Sequence, residues 1–139
     1  MVLITRKAEF SSSHCLVNPA WSDERNFEVF GDESKTHGHN YVLEVTVTGQ
    51  VDPMHGMIMD LKELKDIMNR EVVDPWDHRH LNHEAPPFDH VIPTVENMAA
   101  EIWKRLEPAV SGDGRRLHSI RLYETPDLYV DYAGPAVAA

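Results

Sequence analysis

Three histidines are the residues whose types and spacing most directly indicate chemistry. His37 and His39 are separated only by Gly38, and side chains two residues apart point the same way along an extended strand. His14 ends an upstream segment in which polar and apolar residues alternate. If the two segments pair, three imidazoles converge, and three imidazoles with an open fourth position are typical of a catalytic zinc ion. The alternative is that they are ordinary polar histidines at strand ends.

Further acidic and imidazole side chains are candidates for catalysis or binding. Asp77 precedes His78, and a carboxylate beside an imidazole can produce a general acid or base near neutral pH; the alternative is a pair that stabilises a loop. Glu124 could accept paired N–H bonds from a flat, nitrogen-rich heterocycle, or it could be an exposed acid at a strand end. Glu33 lies four residues before His37, where it could reach a metal ion or simply face water.

The hydrophobic pattern predicts the elements that position these side chains. Alternation predicts strands over residues 2–14, 39–49, 117–124 and 128–132. Helical periodicity predicts one helix that begins at Asp60 and ends at Pro75, and a second that Thr94 caps. Short links between the strands favour antiparallel pairing. The sequence therefore predicts an α+β fold, with a four-stranded antiparallel sheet and both helices on one of its faces.

Three less regular segments complete the predicted chain. Residues 17–36 are expected to be irregular, with one helical turn near 23–30, and such a long connection is more often functional than idle. The segment 76–82 is short and polar, which predicts a place outside the core. The alanine-rich residues 133–139 are expected to form a loose tail.

Composition limits the kinds of partner. A length of 139 residues fits a single domain, residues 1–139, and the net charge of -10 argues against general nucleic-acid binding. The sequence has no apolar run long enough to cross a bilayer and no signal-peptide pattern at its N-terminus. Cys15 is the only cysteine, which favours the cytoplasm. We interpret it as a small buried hydrophobe and not as a nucleophile.

Taken together, the motifs resemble the 6-pyruvoyl-tetrahydropterin synthase and 6-carboxy-tetrahydropterin synthase family. The resemblance spans nearly the whole chain, and the joint pattern is specific although each motif alone is weak. The matching residues are Phe10–His14, Phe30-Gly31, His37–Tyr41, Gly56–Leu61, Leu64-Lys65, Asp77-His78, Leu81-Asn82, Pro93-Thr94, Glu96-Asn97 and Tyr123–Thr125.

The resemblance implies a fold, an assembly and a chemistry. It implies a tunnelling fold, in which subunits join their sheets edge to edge into a barrel, commonly as a hexamer of two trimers. It implies a small-molecule substrate, 7,8-dihydroneopterin triphosphate, whose side-chain hydroxyls bind a zinc ion. By the same resemblance, zinc is held by His14, His37 and His39, protons are relayed by Asp77 and His78, and the pterin is bound by Glu124 with Thr125 beside it.

One position departs from the family pattern. Where the family usually has a catalytic cysteine, this sequence has Glu33. A carboxylate is a weaker base than a thiolate unless its pKa is raised. In this respect the sequence resembles a branch of the family in which a glutamate replaces the cysteine. Enzymes of that branch cleave the substrate side chain to give 6-hydroxymethyl-7,8-dihydropterin for folate synthesis. The alternatives are a 6-carboxy or 6-pyruvoyl product, and a non-catalytic member that binds zinc and pterin.

Overall fold

The computed structural model describes residues 1–136, in which a five-stranded sheet packs against helices. The central strands and the two long helices each keep one apolar face toward the other layer. The strands are β1 (Leu3–His14), β2 (His37–Gly49), β3 (Arg79–His80), β4 (Arg115–Thr125) and β5 (Leu128–Tyr132), in the sheet order β3-β1-β2-β4-β5. The helices are α1 (Asp23–Phe30), α2 (Leu61–Met68), α3 (Asp74–Trp76), α4 (Leu81–Glu84) and α5 (Val95–Val110), and a π-helical turn (Asn69–Val73) joins α2 to α3.

The core lies between one face of the sheet and the two main helices, as the sequence predicts. Alternate residues of the central strands, among them Phe10, Tyr41 and Leu122, are buried on this face, because successive strand side chains point to opposite sides. Leu64 of α2 and Ile102 of α5 belong to the same buried cluster. The sheet face that ends in the three histidines is therefore the covered face.

Side-chain caps fix the starts of both main helices where the sequence predicts them. The Asp60 carboxylate accepts a hydrogen bond from the backbone N–H of Lys62 at 2.9 Å. The Thr94 hydroxyl accepts one from the N–H of Asn97 at 3.2 Å. Each cap satisfies an N–H group that has no partner inside its helix.

The sheet has one strand more than the four predicted, and it is mixed rather than wholly antiparallel. Arg79 and His80 pair in parallel with Ser12 and Ser13. The segment reaches this edge because the backbone N–H of His78 donates to the carbonyl of Ser11 at 2.6 Å. Two residues are too few to show an alternating pattern, so periodicity could not predict this strand. The sheet is open, with β3 and β5 at its edges.

The prediction that residues 76–82 lie outside the core is wrong for two of them. The side chains of Trp76 and Leu81 are fully buried, and the Trp76 ring contacts the rings of Phe10 and Phe88. The helix that starts after Asp60 runs through its π-helical turn and ends at Trp76. Burial of a large apolar side chain is favourable by a few kcal/mol (about 1.5–3), so these two residues enter the core although the segment around them is short and polar.

The irregular connection and the chain end also differ in detail from expectation. The helical turn expected near 23–30 is the two-turn helix α1, and a 3-10 turn (Gly31–Ser34) follows it. Gly134 packs against the ring of Trp103, so the first part of the expected tail contacts α5. Residues 137–139 of that tail lie outside the described residues. Within residues 1–136, no helix has the length and apolar character needed to cross a membrane.

Candidate metal centre

The pairing of β1 with β2 brings the three histidines together. His14 lies directly opposite His37, and His39 lies opposite Ser12 in the same antiparallel register. The ring centroids are 4.6 Å apart for His14 and His37, 5.3 Å for His14 and His39, and 5.1 Å for His37 and His39. Their candidate ligand nitrogens all lie within 4.8 Å of one another. This spacing allows the three imidazoles to share one metal ion.

Backbone carbonyls orient two of the rings toward that shared point. Nδ1 of His14 lies 2.9 Å from the carbonyl oxygen of Pro93, and Nδ1 of His37 lies 2.7 Å from that of Lys35. A carbonyl only accepts, so each Nδ1 carries the proton and each Nε2 keeps a lone pair. Nε2 of His14 and Nε2 of His39 are buried and have no hydrogen-bond partner within residues 1–136. The donor set therefore fits a zinc ion.

Burial keeps the imidazoles of His14 and His39 in the neutral form that binds metals. Desolvation, and then the neighbouring His37, lower the pKa of His14 from 6.5 to about 4. The pKa of His39 is lowered by burial and by His37, while the negative charge of Glu33 opposes this shift. Few protons therefore compete with a metal ion for these two rings at neutral pH.

Glu124 lies beside the histidines at the end of β4. Its Oε1 is 3.5 Å from Nε2 of His39, which is an electrostatic contact rather than a well-formed hydrogen bond. Burial raises the pKa of the Glu124 carboxyl, and the charges of Glu33 and Glu96 raise it further, against an opposite effect of His37. The carboxylate is thus partly desolvated, and it would gain from N–H donors on a bound ligand.

Glu33 stands close enough to the centre for its charge to act there. It lies in the 3-10 turn between α1 and β2, and its own carbonyl accepts a hydrogen bond from the N–H of Leu16 at 2.8 Å. This bond ties the turn to the residues just after His14. The Glu33 charge shifts the pKa values of both His39 and Glu124. Its side chain is exposed, as a residue that meets a substrate would be.

Asp77 and His78 form a pair with each other, at some remove from the three imidazoles. Oδ1 of Asp77 accepts from the N–H of Ser11 at 2.8 Å, and Oδ2 lies 2.9 Å from Nδ1 of His78. These hydrogen bonds lower the pKa of the Asp77 carboxyl. The His78 side chain is 80% exposed, and neither residue belongs to the group of candidate ligands that His14, His37 and His39 form. Within one chain the structure does not bring this pair to the metal centre.

Thr125 is the remaining candidate, and Cys15 is the thiol that follows His14 in the chain. Thr125 lines a cavity of about 280 Å³ with Asn40 and Tyr123, and its hydroxyl accepts a hydrogen bond from the N–H of Asp127. Cys15 is half-buried, and its backbone N–H and carbonyl form hydrogen bonds with the side-chain amide of Asn82. Burial raises the pKa of its thiol. The thiol is therefore protonated at neutral pH, which is the less reactive form.

Three neighbours of the centre were not assigned a role from the sequence. The Pro93 carbonyl orients His14, but a backbone acceptor leaves no mark on residue type. His80 contributes to the lowered pKa of His14 and lies 3.2 Å from the Thr36 hydroxyl, and its place on β3 depends on pairing that alternation does not reveal. Glu96 belongs to a motif of the resemblance, and only the fold brings its charge to Glu124.

The comparisons with known proteins agree with this geometry. The 6-pyruvoyl tetrahydropterin synthase family matches residues 3–135. The chain belongs to that family. A 6-pyruvoyl tetrahydrobiopterin synthase from Pongo abelii is 40% identical over 133 residues, covering 94% of this chain and 90% of the relative. The chain is accordingly a pterin synthase, a lyase that acts in pterin biosynthesis.

Solved structures of the family share the fold. The 6-pyruvoyl tetrahydropterin synthase of Caenorhabditis elegans superposes with a TM-score of 0.89 and 36% identity, over 96% of each chain. A 6-pyruvoyltetrahydropterin synthase from Plasmodium vivax shares the fold at a TM-score of 0.59 and 13% identity, over 95% of this chain and 98% of that one. The Plasmodium protein is described as a variant in which a catalytic glutamate is replaced by alanine.

Proposed function

We propose that this pterin synthase is a zinc-dependent lyase that acts on the side chain of 7,8-dihydroneopterin triphosphate. The observation that carries the proposal is the set of three converging imidazoles, with two buried ring nitrogens that have no partner within residues 1–136 and the Glu124 carboxylate beside them. His14, His37 and His39 would hold the zinc ion. Zinc would supply Lewis acidity, which makes a proton next to the side-chain hydroxyls of the substrate easier to remove.

Glu124 is the residue that we assign to the pterin ring, with Thr125 beside it on the chain. A carboxylate can accept two parallel N–H bonds from a flat heterocycle, and such charge-assisted bonds are about twice as strong as neutral ones. The partial burial of Glu124, whose side chain is 15% exposed, supports this role because a desolvated acceptor binds donors more strongly. Its contact with His39 would place the bound ring next to the metal.

Glu33 is the residue that we assign to proton removal. By the resemblance, it corresponds to the loop position at which the family usually has its cysteine, and its charge acts on both His39 and Glu124. The Plasmodium vivax protein is described as having a catalytic glutamate, which is a precedent within this fold for a catalytic carboxylate. We infer that the reaction breaks the bond between the two hydroxyl-bearing carbons of the side chain, and that it releases 6-hydroxymethyl-7,8-dihydropterin and the remaining aldehyde fragment with its triphosphate.

Asp77 and His78 are assigned to a proton relay that serves the centre of a neighbouring subunit. Their hydrogen-bonded pair lies beside Ser11 and directly precedes the edge strand β3. Edge strands tend to pair with another chain. Assembly of the open sheets into a barrel, as a hexamer of two trimers, would bring the exposed His78 of one subunit toward the centre of the next.

The 6-pyruvoyl product is the second candidate, and the 40% identity to a 6-pyruvoyl tetrahydrobiopterin synthase favours it. The experiment that separates the two is incubation of the zinc-loaded protein with 7,8-dihydroneopterin triphosphate, followed by mass spectrometry of the pterins. A 6-hydroxymethyl product supports the proposed reaction. A 6-pyruvoyl or 6-carboxy product means that Glu33 performs the reaction of the thiol enzymes. Tight pterin binding without any product would indicate a binding protein.

A further inference from the structure

One buried polar atom beside the metal centre is not explained by the proposed roles. The hydroxyl of Tyr41 has no hydrogen-bond partner within residues 1–136, although the side chain is fully buried, with 0% of its surface exposed. An unpaired buried hydroxyl costs about 1–3 kcal/mol, so proteins nearly always provide it with a partner, a water molecule or a ligand. The missing partner of Tyr41 therefore calls for an explanation.

The surroundings of Tyr41 indicate where that partner lies. Its ring stacks on Phe10 at 5.0 Å, while the rings of His14 and His39 meet it edge-on, with centroids at 6.3 and 5.6 Å. Val42 pairs with Tyr123 across β2 and β4, so Tyr41 and Glu124 are the next residues along these two strands. Burial raises the pKa of the Tyr41 hydroxyl, and the negative charge of Glu124 raises it further. The residue thus stands among the histidines and Glu124.

Three of the buried atoms that lack a partner within residues 1–136 belong to rings in mutual contact. They are Nε2 of His14, Nε2 of His39 and the hydroxyl of Tyr41. A metal ion accounts for the two nitrogens, since it takes their lone pairs. It does not account for the hydroxyl, whose proton requires an acceptor such as oxygen.

We propose that the Tyr41 hydroxyl donates a hydrogen bond to an oxygen atom lodged between Glu124 and the three imidazoles. That oxygen belongs to a water molecule that enters with the metal ion, or to a side-chain hydroxyl of the pterin when substrate is bound. The bond holds the oxygen in a fixed position relative to His14 and His39. Tyr41 is in this view a ligand-binding residue of the centre, in addition to the packing that its ring provides. The pterin part of the proposal rests on the proposed function, whereas the water part does not.

The test compares Tyr41→Phe with the wild-type protein, because phenylalanine keeps the ring and removes only the hydroxyl. Tyr132→Phe is the matched control, since Tyr132 packs against Trp103, away from the histidines. In the metal-free protein, Tyr41→Phe should leave the melting temperature unchanged or raise it by about 3 °C, because it removes an unpaired buried group. A lower melting temperature in the metal-free variant would mean that the hydroxyl already has a protein partner, and it would overturn the proposal.

Ligand binding then distinguishes the two sources of the oxygen. A smaller rise in melting temperature on adding zinc, for Tyr41→Phe only, supports the proposal and identifies water. A second outcome also supports the proposal, and it identifies a side-chain hydroxyl as the source of the oxygen. In that outcome the zinc-loaded variant binds 7,8-dihydroneopterin about tenfold more weakly than the wild-type protein, while its affinity for 6-methyl-7,8-dihydropterin is unchanged. If neither quantity differs from that of Tyr132→Phe, the proposal is wrong. If the wild-type protein binds neither pterin, the proposed substrate is wrong, and the zinc measurement alone decides the role of Tyr41.

Discussion

Oε1 of Glu124 lies 3.5 Å from Nε2 of His39, and this contact joins the proposed pterin-binding residue to the proposed metal ligands. The two residues come from β4 and β2, which are hydrogen-bonded neighbours in the sheet. Their separation is therefore set by strand pairing and not by a flexible loop. A ligand that engages both residues would have its position fixed by two paired strands.

Replacing Glu124 should weaken pterin binding and leave the metal in place. In Glu124→Ala the affinity of the zinc-loaded protein for 7,8-dihydroneopterin should fall about 10- to 100-fold, because charge-assisted hydrogen bonds are lost. Isothermal titration measures this affinity, and elemental analysis measures the zinc content. Glu44→Ala is the control, because Glu44 lies on the opposite face of the sheet and pairs with Lys7. Unaltered pterin affinity in Glu124→Ala would contradict the assignment.

Removing one imidazole should abolish stoichiometric metal binding. His37→Ala leaves two nitrogen ligands, which are too few for a stable zinc site of this type. We expect about one zinc per chain in the wild-type protein and far less in the variant, as measured by elemental analysis after dialysis. His118→Ala, which changes a histidine on β4, should retain the metal. Full zinc occupancy in His37→Ala would show that the metal is held elsewhere.

The stability of the metal-free protein should fall as the pH drops from 6.5 to 4. The unfolded chain protonates His14 below pH 6.5, whereas the folded chain protonates it only near its lowered pKa of about 4. Acid therefore favours the unfolded state, by about 3 kcal/mol at most across this interval. Urea unfolding in the presence of a chelator measures the effect. The dependence should be weaker in His14→Gln, and an equal slope in the two proteins would contradict the assigned cause.

The relay pair should act across a subunit boundary. His78→Gln and Glu33→Gln should each be nearly inactive, but a mixture that is unfolded and reassembled should regain about a quarter of the wild-type activity, because some centres then receive both intact residues. A mixture of Glu33→Gln with His37→Ala is the control, since both substitutions affect the centre of their own chain. It should regain none. Failure of the first mixture, when wild-type protein reassembles under the same conditions, would place both residues in one chain's centre.

Much of the centre could be predicted from the sequence because it depends on strand alternation. His37 and His39 share a face with Tyr41 because they are two residues apart, and His14 shares a face with Phe10 for the same reason. The prediction then needed only the pairing of β1 with β2. The helix starts at Asp60 and Thr94 were equally predictable, since capping side chains are local signals.

The features that could not be predicted depend on contacts between distant segments. β3 exists because the segment after Trp76 is bound to Ser11, 66 positions earlier in the chain. The orientation of His14 depends on the carbonyl of Pro93, 79 positions later. Neither contact produces a periodic pattern. The sequence also could not predict that the Tyr41 hydroxyl has no partner within residues 1–136, because in the alternating pattern of β2 this residue counts only as apolar.

The central claim is that the Glu33 carboxylate removes a proton at a three-histidine metal centre. Its most direct test is the turnover of 7,8-dihydroneopterin triphosphate by Glu33→Gln, with zinc content measured in the same samples. We predict about one zinc per chain and a rate that is lower by a factor of about 100 or more. Glutamine keeps the shape of the glutamate side chain but cannot accept the proton. An unchanged rate with full zinc occupancy would remove Glu33 from the mechanism.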